Sequence, residues 1–227
     1  MKISEIFYSI QGEGSLAGVP SVFVRTSGCN LRCVWCDTPY ASWNPEGEEM
    51  PVEAILGRVS QFSAPSPVRY AVVTGGEPMI APGIVDLTRR LRDQDMHVTI
   101  ETAGTVFADV ACDLMSISPK LANSTPPGQF RMQHERLRVQ FDVLQRLISN
   151  FDYQLKFVIA EPGDVEEAAD LATRLGAAPH KTILMPEGVD PAVLAERSVW
   201  LAELCKQRQF RYGPRLHVDL YGNRRGT

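Results

Sequence analysis

The chain has 227 residues, 44% of them hydrophobic and 22% charged, with a formal net charge of -4. That balance describes one globular domain over residues 1–227 with a core of its own, and the acidic excess argues against nucleic acid as a partner. No apolar run approaches the twenty residues of a membrane span, and the opening MKISE lacks the form of a signal peptide, so a cytoplasmic location is expected.

Short β-branched or aromatic runs alternate with helical patterns along the chain. Strands are predicted over 3–10 and 21–26 (SVFVRT), then a helix over 52–62. A strand over 70–74 (YAVVT), apolar throughout, reads as buried on both faces. A helix over 84–92, strands over 97–101 and 114–118, and a helix over 135–148 follow, with residues 123–133 between them as a surface loop. The next strand is 154–159. The helix after it carries Val165, Ala168, Ala169, Ala172 and Leu175 on one face. Asp164 and Glu167 suit a reciprocal N-terminal cap, and Gly176 a C-terminal one. Strand 182–185, helix 191–206 and an extended piece at 216–221 complete the order. Six β-then-α strands after an N-terminal piece predict a parallel sheet with right-handed crossovers. They are too few for the eight of a closed barrel, so a partial, open (β/α)6 barrel is expected, with a doubly wound open sheet as the alternative.

Chemistry in such folds gathers beyond the carboxyl ends of the strands, and the unusual segments of this chain all fall there. SGCNLRCVWCDT follows 21–26, GGEP follows 70–74, TAG follows 97–101, Pro119 and Lys120 follow 114–118, and Pro186 and Glu187 follow 182–185. Three of the five cysteines lie in the first of these, as Cys29-x3-Cys33-x2-Cys36. An odd number of cysteines without a secretion signal argues against a disulfide framework. Cys112 and Cys205, alone in apolar surroundings, read as inert buried thiols. Structural zinc requires four closed ligands, commonly as two pairs. The four histidines, His97, His134, His180 and His217, are scattered and supply no second pair. An electron-transfer 4Fe–4S cluster takes four cysteines. Three thiolates leave one iron open, able to chelate an amino acid through its amine and carboxylate.

At these residues the chain resembles the radical S-adenosylmethionine (SAM) superfamily, whose CxxxCxΦC pattern has an aromatic at Φ, here Trp35, and whose GGE segment follows the second strand, here Gly75 to Glu77. YSIQGEG (8–14), Arg25, CDT (36–38), TGGEP, ETAGT, SPK and LHVDLYGNRRG are further similar to the 7-carboxy-7-deazaguanine synthase family. The resemblance implies a fold of the radical SAM type and a carbon–nitrogen lyase. The reaction would contract 6-carboxy-5,6,7,8-tetrahydropterin to 7-carboxy-7-deazaguanine with release of ammonia, on the route to queuosine and other 7-deazapurines. It further implies a homodimer, SAM, one 4Fe–4S cluster, Mg²⁺ and an external electron donor such as flavodoxin. Its residue assignments place the cluster on Cys29, Cys33 and Cys36. They place SAM against Trp35, Cys36, Asp37, Gly76, Glu77, Ser118, Pro119, Lys120, Met185, Pro186 and Glu187. Mg²⁺ falls to Thr38, and the substrate to Ile10, Gln11, Gly12, Arg25, Thr74 and the terminal Thr227.

The residue chemistry leaves alternatives beside these roles. Arg25 offers a planar fork for a carboxylate or an ion pair. Gln11 offers a donor and an acceptor for a pterin edge or turn chemistry beside Gly12, and Glu13 could bond a pterin amino group or cap the turn. Thr38 supplies one hard oxygen or a turn hydroxyl before Pro39. Glu77 could accept the methionyl amine or serve as a helix-start carboxylate. Lys120 could bind a carboxylate or cover the rim. Two other functions use the same features: a radical SAM activase of a glycyl-radical enzyme, and a zinc-stabilised interaction module. No catalytic base is assigned.

Overall fold

The computed structural model describes residues 1–63 and 66–227. It contains one nine-stranded sheet in the order β3-β1-β2-β4-β5-β6-β7-β8-β9. The six predicted parallel strands are all present: β2 (Pro20–Thr26), β4 (Tyr70–Gly75), β5 (His97–Thr102), β6 (Leu114–Ile117), β7 (Tyr153–Ile159) and β8 (Thr182–Pro186). The N-terminal piece, β1 (Lys2–Ile10), runs antiparallel to β2 and to the two-residue β3 (Glu48–Glu49). β3 and β9 (Arg211–Tyr212) stand at opposite edges, so the sheet stays open as a partial barrel.

Side chains of a strand alternate between its two faces, and that period of two sorts this sheet. Val22 and Val24, Ala71 and Val73, Val98 and Ile100, Met115 and Ile117, and Leu155, Phe157 and Ile159 join the main apolar core. They meet Ile55, Leu56 and Val59 of α2 (Val52–Gln61), Leu87 and Leu91 of α3 (Ile84–Arg92), and Leu144 and Leu147 of α5 (Phe141–Asn150). Val165, Ala168, Ala172 and Leu175 of α6 (Asp164–Leu175) complete it, on the predicted face. Removing one such Leu side chain costs about 2–5 kcal/mol. The alternate positions carry Phe23, Arg25, Thr74, Glu101, Ser116, Lys156 and Val158, which line a cavity on the opposite face. Register places Arg25 beside Thr74, and Glu101 beside Ser116 beside Gln154. The strand over 70–75 is buried on both faces, as expected, with Thr74 as its polar contribution to the cavity.

Four expectations are corrected. Residues 216–221 form a helix, α8 (Leu216–Tyr221), because Arg211–Tyr212 already occupies the free edge of β8. The helix expected over 135–148 is two, α4 (Arg131–Leu137) and α5. The Gln140 side chain donates to Arg136 O (2.7 Å), taking a carbonyl that a continuous helix would use. The 123–133 loop contains two single 3₁₀ turns and the start of α4, with Ser124 fully buried. Asp164 does not cap its own helix. Its Oδ2 accepts from the amides of Ala160 and Glu161 and from Asn123, while Glu167 takes the Ala122 amide and Arg138. Gly176 does end α6 in the left-handed conformation, at φ 67°. The remaining long helix is α7 (Pro191–Arg208), and a short one, α1 (Pro39–Ser42), follows the cysteines. No helix of the described residues is long and apolar enough to cross a membrane.

The glycine pair after β4 is a packing requirement. Gly75 has φ +140°, which favours glycine. A Cβ on Gly76 would lie 2.2 Å from Gly28 O and 2.5 Å from Ala41 O. Backbone on both sides cannot give way, so Gly76→Ala is expected to cost about 2 kcal/mol, a fall of roughly 4–8 °C in the melting temperature of the metal-free protein. An unchanged melt contradicts this packing.

Candidate active site

Two adjoining cavities lie beyond the carboxyl ends of the parallel strands. The smaller, about 120 Å³, is lined by Cys29, Cys33 and Cys36 together with Leu31, Ser42, Ala103 and Lys120. The larger, about 490 Å³, is lined from β1, β2, every strand from β4 to β8, and the C-terminal segment. Trp35, Asp37, Thr38, Gly75, Gly76, Ala103 and Lys120 line both.

The cysteine loop is held by its backbone. Cys33 O accepts from Trp43 Nε1 (3.0 Å), Val34 N donates to Ser124 O (2.9 Å), and Arg32 N donates to His134 Nδ1 (3.1 Å). Arg32 also donates from Nη1 to the carbonyls of Cys29 and Leu31. The thiols are left facing the cavity. Burial pushes Cys29 up to about 11 and Cys33 up to about 12. A metal centre would therefore displace protons as it binds. Three thiols lining one cavity suit an iron–sulfur cube, each thiolate of which takes a different iron. Cys112 is half-buried and Cys205 buried, both remote from these cavities.

The larger cavity has a floor of paired charges. Lys156 Nζ lies 2.6 Å from Glu13 Oε2 and 3.9 Å from Glu101 Oε1. Arg215 Nε lies 3.2 Å from Glu13 Oε1, its Nη1 donates to Gly188 O (2.6 Å), and its Nη2 pairs with Asp37. Glu101 accepts from Gln11 Nε2 (3.2 Å) and Thr74 Oγ1 (2.8 Å). Burial alone would raise the Glu13 pKa, but Lys156 and Arg215 hold it well below the usual carboxylate range. For Lys156 burial acts downward, and Glu13 and Glu101 outweigh it and raise the pKa. His217 is lowered by burial, so its ring is neutral. It packs so closely on Gly12 that a Cβ there would lie 1.9 Å from Nδ1. This is the physical reason for a glycine at position 12.

Most of the residues assigned from the sequence line this space. Ile10, Gln11, Gly12, Arg25, Thr74 and Thr227 line the larger cavity, as do Trp35, Asp37, Thr38, Gly76, Ser118, Lys120, Met185 and Glu187. Arg25 makes the ion pair of its alternative reading. Its Nε pairs with Glu5 (2.6 Å), while its Nη atoms make no hydrogen bond among the described residues. Lys120 donates to Ser118 Oγ (2.9 Å) and sits 5.6 Å over the Trp35 ring. The Thr38 hydroxyl makes no cap hydrogen bond to α1 and lies 3.8 Å from Cys36 Sγ. Glu187 is paired with Arg197.

Three assigned residues stand back. Pro119 and Pro186 are buried and line neither cavity. Glu77 is 0% exposed and lines neither. Its carboxylate accepts from Thr102 Oγ1 (2.7 Å), Ala103 N (2.8 Å) and Met79 N (3.1 Å), and burial raises its pKa. Its side chain thus joins the ends of β4 and β5. Sequence reasoning did not single out Glu101, Lys156 or Arg215. A lone Lys at the centre of QLKFVI was the available signal, since a lysine within a parallel strand is buried only when paired.

The fold and the three-cysteine loop define a radical SAM protein, and residues 23–159, more than half the chain, match the Radical SAM superfamily. The chain belongs to the 7-carboxy-7-deazaguanine synthase family within it. It is 46% identical over 231 residues to the 7-carboxy-7-deazaguanine synthase of Rhodopirellula baltica, covering 99% of this chain and 88% of that one. It is 41% identical over 239 residues to the synthase of Halobacterium salinarum, covering 98% and 91%. Its fold is that of QueE from Escherichia coli, with TM-score 0.72, 24% identity, and 95% and 94% of the two chains covered. Membership of the superfamily implies a 4Fe–4S cluster and SAM.

The charged floor makes a pH prediction. The folded pKa of Glu13 lies below its unfolded value, so its contribution to stability is present above the carboxylate range and is lost as pH falls through it. Glu13→Gln is expected to flatten the acid limb of a stability-against-pH curve. Lys156→Met, which leaves Glu13 and Glu101 without the cation between them, is expected to cost about 3 kcal/mol at neutral pH. Urea unfolding across pH checks both; an acid limb unchanged in Glu13→Gln contradicts the pairing.

Proposed function

We propose that the protein converts 6-carboxy-5,6,7,8-tetrahydropterin to 7-carboxy-7-deazaguanine with release of ammonia, as a carbon–nitrogen lyase. The observation that carries this reading is the continuity of a three-thiol cavity with a polar chamber through Trp35, Asp37, Thr38, Gly76 and Lys120. Cys29, Cys33 and Cys36 would hold the 4Fe–4S cluster. Trp35, Asp37, Gly76, Ser118, Lys120, Met185 and Glu187 would hold SAM. When bound, the cluster and SAM together supply a carbon-centred radical that takes hydrogen from C6 of the pterin.

The chain's own residues do the remaining work. The free Nη side of Arg25 suits the substrate carboxylate, and Glu5 on its Nε keeps the fork oriented. Glu13, held ionised by Lys156 and Arg215, and the Glu101 side chain supply acceptors for the donor edge of a pterin. Gln11 and Thr74 fix the rotamer of Glu101 through the hydrogen bonds already made. Neutral His217 can accept or return a proton at a ring nitrogen. Asn223, Arg224, Arg225 and Thr227 of the C-terminal segment also line the chamber. Thr38, with a hydroxyl free of capping duty, offers an oxygen to Mg²⁺, whose other ligands would be substrate oxygens and water. We further propose a homodimer in the cytoplasm, reduced by a flavodoxin-type donor.

Anaerobic incubation with SAM, dithionite and carboxytetrahydropterin tests the assignment. The expected outcome is deazapurine absorbance with one ammonia per product and no net consumption of SAM, because loss of ammonia from the tetrahydropterin is redox-neutral and the hydrogen taken from C6 is returned. Cleavage of SAM without deazapurine contradicts it. Thr38→Ala is expected to raise the Mg²⁺ concentration for half-maximal activity about tenfold, a loss on the scale of one ligand contact, with cluster content unchanged. An unaltered Mg²⁺ response removes Thr38 from the metal site.

A further inference from the structure

The loop between Cys29 and Cys36 is met from outside the site by a short stretch of chain, Ser124 to His134. His134 is 1% exposed. Its Nδ1 lies 3.1 Å from Arg32 N, an amide that can only donate, so Nδ1 is the acceptor and the ring proton is on Nε2. Nε2 then donates to Ser124 Oγ (2.9 Å), and the Ser124 hydroxyl donates in turn to Leu121 O (2.6 Å). The chain of donors therefore has one direction and one tautomer. Burial lowers the His134 pKa and keeps the ring neutral, as this arrangement needs.

The same stretch meets the loop twice more. Ser124 O accepts from Val34 N (2.9 Å). The Phe130 ring lies 5.5 Å beneath the Arg32 guanidinium and edge-on to Trp43, whose Nε1 holds Cys33 O. The amide before Cys33, the amide after it and its own carbonyl are thus all fixed. We propose that His134 is a positioning residue for the cluster: it holds the Arg32 amide, and through it sets the backbone from which the Cys33 thiolate reaches iron. The inference rests on the cluster reading of the three cysteines but not on the identity of the substrate.

The test is cluster retention in the anaerobically reconstituted protein. His134→Leu removes the acceptor at similar volume, and His134→Asn keeps an acceptor where Nδ1 stands. His134→Leu is expected to lose cluster absorbance to an iron chelator about ten times faster than wild type, the effect of one unmade hydrogen bond to a buried amide, with an altered electron paramagnetic resonance signal of the reduced cluster. His134→Asn is expected to restore most of the lifetime. Equal lifetimes for wild type and His134→Leu overturn the proposal, as does an Asn variant no better than the Leu variant. Nitrogen-15 NMR of the wild-type protein without metal supplies a readout that needs no variant to fold: Nδ1 unprotonated and Nε2 protonated is expected, and a proton on Nδ1 overturns the proposal. Wild-type protein that takes up no iron–sulfur cluster overturns the cluster reading itself, and this inference with it.

Discussion

A parallel strand has two faces, and this protein uses one for oil and the other for charge. The inner face of the sheet places Arg25, Glu101 and Lys156 in a partly enclosed chamber, where Glu13 and Arg215 join them from loops. Charges removed from water are tolerated only when paired and hydrogen-bonded. That constraint explains why carboxylates and cations alternate across the floor: Glu101, Lys156, Glu13, Arg215, Asp37. It also explains why segments far apart in sequence converge there. Arg215 follows the last strand yet meets the turn after β1 and the residue after Cys36.

The consequence is a chamber whose charged groups are held ready before any ligand arrives. Glu13 is ionised despite burial because two cations face it. Polar groups arranged in advance do not have to reorganise when charge develops in a bound molecule, which is the usual basis of electrostatic catalysis. The chamber ends at the residues shared with the thiol cavity. The thiol cavity and the polar floor are therefore only a few residues apart, with Trp35, Asp37 and Lys120 between them.

Much of this was legible in the sequence, for physical reasons. Parallel strands announce themselves as short apolar runs, and all six were placed within a residue or two of their observed bounds. Three cysteines within eight residues on a strand end, and the paired glycines after β4, are local signals that need no tertiary information. What was missed depends on tertiary contacts. Arg215 matters because of Asp37 and Glu13, 178 and 202 residues away in sequence. The role of Lys156 depends on which face of β7 it occupies. Residues 216–221 alternate like a strand, yet Arg211–Tyr212 already pairs with β8 and they form α8 instead. Glu77 was read as a ligand-facing carboxylate because its motif fixes its position but not its direction; in the fold its three hydrogen bonds turn it inward.

Membership of the superfamily implies a 4Fe–4S cluster, which we propose is held by the three thiols, beside the organised polar chamber. The central claim is that these belong to one site, with an open iron facing the chamber. Electron paramagnetic resonance of the anaerobically reconstituted, reduced protein tests this most directly. One 4Fe–4S cluster per chain, with a signal that changes when SAM is added, is the predicted result. A cluster indifferent to SAM, or protein that retains zinc and no sulfide, would contradict it.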